Sequence, residues 1–160
     1  MNERRHPDSI QHRVVVQTTT DRAFDIFTSR FAEWWPQDNT WARDDLDTVV
    51  MESSRGGRWY ERTKQGDEKD WGKVVEWNRP DRVVLTWQIK PEWQPEPDPD
   101  RASEVEVLFK PHGPTATEVI LEHYAFDRHG PEGHKVRDPM DSEGGWPLFL
   151  KHFKELADMP

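Results

Sequence analysis

Two side chains in this 160-residue sequence combine titratable chemistry with a place on alternating, aromatic-rich segments: Glu61 in Gly56-Gly57-Arg58-Trp59-Tyr60-Glu61 and His123 in Thr117-Glu118-Val119-Ile120-Leu121-Glu122-His123. Successive side chains of a strand point to opposite faces, so Glu61 shares a face with Trp59, and Arg58, Tyr60 and Arg62 take the other. A carboxylate turned towards indoles needs a cation, a hydrogen-bond donor or a proton, because an unpaired buried charge is costly. It can recognise an amine or hydroxyl, act as a general base, or sit in a structural salt bridge to an arginine. His123 shares its face with Val119 and Leu121, opposite Glu118, Ile120, Glu122 and Tyr124. Its imidazole can anchor a ligand or move a proton near neutral pH, or be a core histidine bonded to backbone or water. No catalytic residue is assigned; His123 and Glu61 are the two candidates for an acid–base pair.

The segment His129-Gly130-Pro131-Glu132-Gly133-His134 holds two histidines and a carboxylate, but not at the spacing of a helical His-Glu-x-x-His zinc site. Its glycines and prolines suit a cavity lid better than a metal cage. The chain contains no cysteine, which removes disulfides, thiolate metal sites and cysteine nucleophiles. A Gly-x-Ser-x-Gly elbow, a Walker phosphate loop and a dinucleotide fingerprint are all missing, so neither metal nor cofactor is expected.

These side chains need elements to hold them. The nine tryptophans fall mostly in short alternating runs, the pattern of a curved antiparallel sheet lined with aromatics. Residues 10 to 17 read as a first strand. Thr20 or Asp21 then caps a helix carrying Phe24, Phe27, Thr28 and Phe31 at helical spacing, with Asp25 near its N-terminal end. Ala32-Glu33-Trp34-Trp35-Pro36 continues as a second short helix or turn. Strands follow near 47–53, 57–64, 71–78, 82–90, 103–110 and 116–125, divided by Gly, Pro, Asn and Asp turns. The Pro-rich acidic stretch from Pro91 to Asp100 reads as an extended surface loop, and Asp127 to Asp141 as a second long loop. Pro147 fits the first turn of a terminal helix whose Trp146, Phe149, Leu150, Phe153, Leu156 and Ala157 form an apolar stripe.

A chain of this length is one domain, able to bury roughly 70% of its unfolded surface. The expected division is a flexible N-terminus over 1–9 and a single domain over 10–158. The formal charge of -9 is the wrong sign for a phosphate backbone, so nucleic acid is not an expected partner. No apolar run reaches the roughly 20 residues that span a bilayer, and no apolar signal segment follows the first residues, so no membrane partner is expected and the expected location is cytoplasmic. An outward Trp93 or an apolar edge leaves room for a homodimer.

The order and spacing of Ala23-Phe24-Asp25-Ile26-Phe27-Thr28, Trp34-Trp35-Pro36, Gly56-Gly57-Arg58-Trp59-Tyr60-Glu61, Trp71-Gly72-Lys73-Val74, Arg82-Val83-Val84-Leu85-Thr86-Trp87, Thr117 to His123 and Gly145-Trp146 resemble the AHSA1-like branch of the START/Bet v 1-like superfamily, also called SRPBCC proteins. The resemblance spans roughly residues 10 to 158. It implies an α+β helix-grip fold: a seven-stranded antiparallel sheet wrapped around a long C-terminal helix, with two short helices after the first strand and an internal cavity. It implies no single reaction, because the superfamily includes lipid and hormone carriers, polyketide cyclases, dioxygenase components and chaperone ATPase regulators. The Rieske-type option needs cysteines this chain does not have.

The expected function is binding of a small, mainly apolar or aromatic molecule. Phe27, Trp35, Trp59, Trp87, Phe109, Leu121, Trp146, Phe149 and Leu150 would supply walls, with Glu61 and His123 as polar anchors. The alternatives are a cyclase- or hydrolase-like enzyme using His123 and Glu61, and an interaction module resembling chaperone ATPase activators.

Overall fold

The β-branched run in Ile10–Val16 forms the first strand, β1, and Thr19 stops it by starting a helix. The Thr19 hydroxyl accepts the Arg22 amide at 3.3 Å, so the cap falls one residue before the expected Thr20. Helix α1 (Thr20–Phe27) buries Ala23, Phe24, Ile26 and Phe27, and α2 (Phe31–Trp34) follows after one turn. Asp25 lies beyond the first turn of α1, and Arg79 is its partner, at 2.8 and 2.9 Å, rather than the helix dipole.

The computed structural model describes residues 6–160, so the first five residues of the expected flexible N-terminus lie outside the described ones. After α2 come β2 (Leu46–Met51), β3 (Arg58–Thr63), β4 (Glu68–Asn78), β5 (Arg82–Trp87), β6 (Ser103–Pro111) and β7 (Thr117–Tyr124). They make one seven-stranded antiparallel sheet in the order β1-β7-β6-β5-β4-β3-β2, a meander whose two ends are β1 and β2. Short turns make neighbours of β2 and β3, β3 and β4, β4 and β5, and β6 and β7, while the longer 88–102 segment returns the chain from β5 to pair with β6. Only β1 must cross to the far side, and it pairs with β7, placing Ile10 opposite His123.

Register shifts bend this sheet. Between Trp59↔Gly72 and Tyr60↔Asp70, Trp71 is the extra residue of a bulge. Gly72 permits it, since a Cβ there would sit 2.0 Å from the Thr86 carbonyl oxygen on β5. The bend lets Trp71 pack on Trp59, Phe31 and Trp35.

The segment from Asp127 to Asp141 is not the open loop its glycines and prolines predict. A 3₁₀ turn, Phe126–His129, leads into α3 (His134–Asp141). Val136 and Met140, four residues apart, bury on one side of α3, and that apolar pair outweighs the unfavourable Pro139 near its end. The last helix, α4 (Trp146–Ala157), starts with Pro147 in its first turn as expected. At 12 residues it is about 18 Å long. Its buried residues Trp146, Phe149, Leu150, Phe153 and Ala157 face β1, α1, α2 and α3, giving the helix-grip arrangement. No helix among the described residues is long and apolar enough to cross a membrane.

Candidate functional site

The bulged β3–β4 pair and the crossover after α2 together determine what Glu61 meets. Glu61 points inward beside Trp59, and its carboxylate accepts three hydrogen bonds: the Trp41 amide at 2.9 Å, the Ala42 amide at 2.8 Å and the Trp71 indole N–H at 2.9 Å. Two consecutive amides and an indole compensate the buried charge without a cation. The expected arginine salt bridge is therefore replaced by a clasp holding the 37–45 crossover onto the sheet. Trp41 extends that crossover outward, its indole N–H donating to the Trp93 carbonyl at 2.8 Å.

His123 is fully buried on β7, and both its nitrogens are engaged. The Trp146 indole, which can only donate, gives its Nε1–H to His123 Nδ1 at 3.1 Å. His123 Nε2 lies 2.8 Å from the Ser103 hydroxyl, and the same hydroxyl lies 2.7 Å from His129 Nε2. The Ser103 amide also donates to His129 Nε2, at 3.1 Å. The donor inventory then fixes every proton. His123 is the Nε2–H tautomer and donates to Ser103 Oγ; Ser103 Oγ–H donates to His129 Nε2; His129 carries its proton on Nδ1. Burial first, and His129 second, hold the His123 pKa well below its ordinary 6.5, so both ring nitrogens keep these roles at neutral pH. Burial also lowers His129, against an opposing pull from Glu96.

All nine expected wall residues come together. Phe27 and Phe109 pack edge to face, Trp35 lies against Trp87, Trp146 and Phe149, and Trp59 lies against Trp87. Leu121 and Leu150 belong to the same continuous core. Glu61 and His123 sit at different borders of this cluster and share no hydrogen bond or ion pair among the described residues.

Two surface clefts flank the cluster. One, about 120 Å³, is lined by Trp87, Ile89, Trp93, Val136, Pro139 and Met140, with Lys90, Pro91 and Lys135 at its side. The other, about 670 Å³, is lined by charged residues including Lys90, Glu92, Glu96, Arg101, Glu132 and Lys135, and by the His129 imidazole.

The family model described as Activator of Hsp90 ATPase homolog 1-like protein matches residues 17–158. The chain belongs to this AHSA1 family. No curated protein matches it in sequence. Among solved structures, an anthrahydroquino-γ-pyrone synthase, Txn09, is 36% identical over 92% of this chain and 96% of its own, with a TM-score of 0.66. The self-sacrificing resistance protein CalC from Micromonospora echinospora is 32% identical over 94% of each chain, with a TM-score of 0.69. Protein MLL2253 from Mesorhizobium loti shares the fold at 18% identity, covering 94% of this chain and 96% of its own, with a TM-score of 0.66.

Within this AHSA1-like frame, sequence reasoning missed Ser103 and the role of His129. Ser103 alternates with Val105, Val107 and Phe109 on the inward face of β6, and Val105 pairs with His123, so a serine was set one step diagonal to the histidine. That alternation was a readable signal. Nothing local tied His129, six residues beyond His123 and across a 3₁₀ turn, to the same hydroxyl.

Proposed function

We propose that this AHSA1-family chain binds a small, mainly apolar or aromatic molecule that enters between the 88–93 segment and α3 and rests against Trp87. The carrying observation is the position of Trp87: it lines the 120 Å³ cleft and also packs on Trp35, Trp59 and Trp146 in the interior. A cleft of that size is smaller than the roughly 300 Å³ at which ligand sites begin, so binding requires α3 or the Trp93 segment to move outward. Phe27, Trp35, Trp59, Phe109, Leu121, Trp146, Phe149 and Leu150 then supply apolar wall, and His123 a polar group behind Trp87, with the two rings 5.5 Å apart. Glu61, already holding three donors, supports the wall rather than the ligand. The fused-ring product in the name of the synthase that is 36% identical supports a flat aromatic ligand.

A second reading, a cyclase- or hydrolase-like enzyme, is favoured by the neutral, hydrogen-bonded His123. It loses Glu61 as an acid–base partner, because that carboxylate is committed to Trp41, Ala42 and Trp71.

The test is a titration with soluble anthraquinone-2-sulfonate, read by tryptophan fluorescence, in the native chain and in Trp87→Leu and Met140→Gln. Saturable quenching weakened at least about tenfold in both variants, some 1.4 kcal/mol, is the expected result. Absence of saturation, or equal affinity in all three proteins, overturns the reading. Turnover of a bound ligand that is lost in His123→Gln while binding persists would favour the enzyme.

A further inference from the structure

Ser103 Oγ stands between two imidazoles, 2.8 Å from the fully buried His123 and 2.7 Å from His129, which reaches the charged cleft. A core histidine that needs only satisfaction gains it from one donor and one acceptor. Here the acceptor is itself a hydroxyl whose own proton points onward to a second base. Ser103 is fully buried, yet its hydrogen bonds run from the aromatic interior to His129, a partly buried residue that borders the charged cleft. Each contact is of ordinary hydrogen-bond length, and each donor is matched to an unprotonated acceptor.

We propose that Ser103 and His129 form a proton relay that makes His123 the proton-exchanging group of the interior, serving a ligand with an ionisable hydroxyl. This rests on the interior-binding reading above. A ligand O–H takes the place of the Trp146 indole at His123 Nδ1 and transfers its proton there. His123 passes its Nε2 proton to Ser103 Oγ, and Ser103 passes its own to His129 Nε2. His129 releases its Nδ1 proton to water in the cleft. One proton leaves the ligand and one reaches solvent; Ser103 keeps one hydroxyl proton, now turned towards His123, each imidazole ends in the other tautomer, and the Ser103 amide is without its acceptor at His129 Nε2 until that ring resets. His123 would touch the ligand, whereas Ser103 and His129 act through it.

The relay can be tested with alizarin red S, a soluble hydroxyanthraquinone sulfonate that supplies the O–H, by solvent exchange of the His123 Nε2 proton in ¹⁵N-histidine-labelled protein saturated with it. A sealed core histidine exchanges only when β7 opens, at the pace of the backbone amides of Leu121 and His123. The relay requires its ring proton to exchange at least about tenfold faster than those amides, and to fall back towards them in Ser103→Ala with amide exchange unchanged. His129→Phe, at a partly buried position, provides the same interruption if Ser103→Ala does not fold. A ring proton that exchanges at the amide rate in the native chain, or whose rate is unmoved by breaking the chain, overturns the proposal. Failure of alizarin red S to bind would reject interior binding and the relay with it, whereas binding without Ser103-dependent exchange would reject the relay alone.

Discussion

The Trp146 indole donates to His123 Nδ1 at 3.1 Å, tying the first residue of α4 to β7. The bond selects one tautomer of a fully buried imidazole, and the indole fills the space between Trp35 and Trp87. Trp146→Phe keeps an aromatic ring but removes the donor. It should cost about 1–3 kcal/mol from the unpartnered acceptor alone, with a further packing loss, and should release the second His123 tautomer. Urea denaturation and imidazole ¹⁵N shifts check this. A single Nε2–H tautomer at unchanged stability would sink the assignment.

Glu61→Gln tests whether the carboxylate is a clasp. The amide nitrogen of glutamine would face a donor where the native oxygen accepts one, so about 1.5–3 kcal/mol of charge-assisted bonding is at stake. Hydrogen exchange should quicken at the Trp41 and Ala42 amides, which bond the carboxylate directly. Unchanged stability and exchange at those two amides would mean the contacts carry no weight.

Stability should fall on the acid side. The His123 and His129 pKa values both lie below 6.5 in the folded chain, so the unfolded chain binds more protons once pH drops under that value. Above 6.5 neither histidine contributes a slope. From about pH 6.5 down to the lowered folded values the unfolding free energy declines, and it levels off for these groups below them. Denaturation midpoints at stepped pH should show this decline, and His123→Gln should flatten part of it. An identical slope in the variant would assign the acid sensitivity elsewhere.

Gly72→Ala should be among the most damaging single changes. The added methyl would meet the Thr86 carbonyl oxygen at 2.0 Å, on backbone that cannot swing aside. Opening the β4–β5 contact would also move Thr86 Oγ1, which accepts the Lys73 amide at 2.7 Å, and displace Trp71 from Glu61. A loss of about 4 kcal/mol or more is expected, with altered tryptophan fluorescence before unfolding. A fully stable variant would show that the bulge can relax.

Strand identity was legible because β-branched and aromatic residues alternate with polar ones over runs bounded by glycine and proline. The pairing of Trp59 with Glu61 on one face followed from that alternation alone, and the start of α4 from Pro147. Helix α3 was hidden, because Gly130, Pro131, Gly133 and Pro139 dominate its local composition, while the burial of Val136 and Met140 that stabilises it comes from the rest of the fold.

By itself the sequence determined the order of the strands and of the first and last helices, the face each strand residue takes and the gathering of its aromatics, since these depend on periodicities of a few residues. Tertiary structure decided the partners. Glu61 meets amides about twenty residues earlier, and Ser103 meets His123 and His129 from two other segments. Such contacts hang on a bulge, a register and a turn, where a shift of one residue would send each polar group to the opposite face. Alternation specifies which way a side chain points; only the closed sheet specifies what stands there.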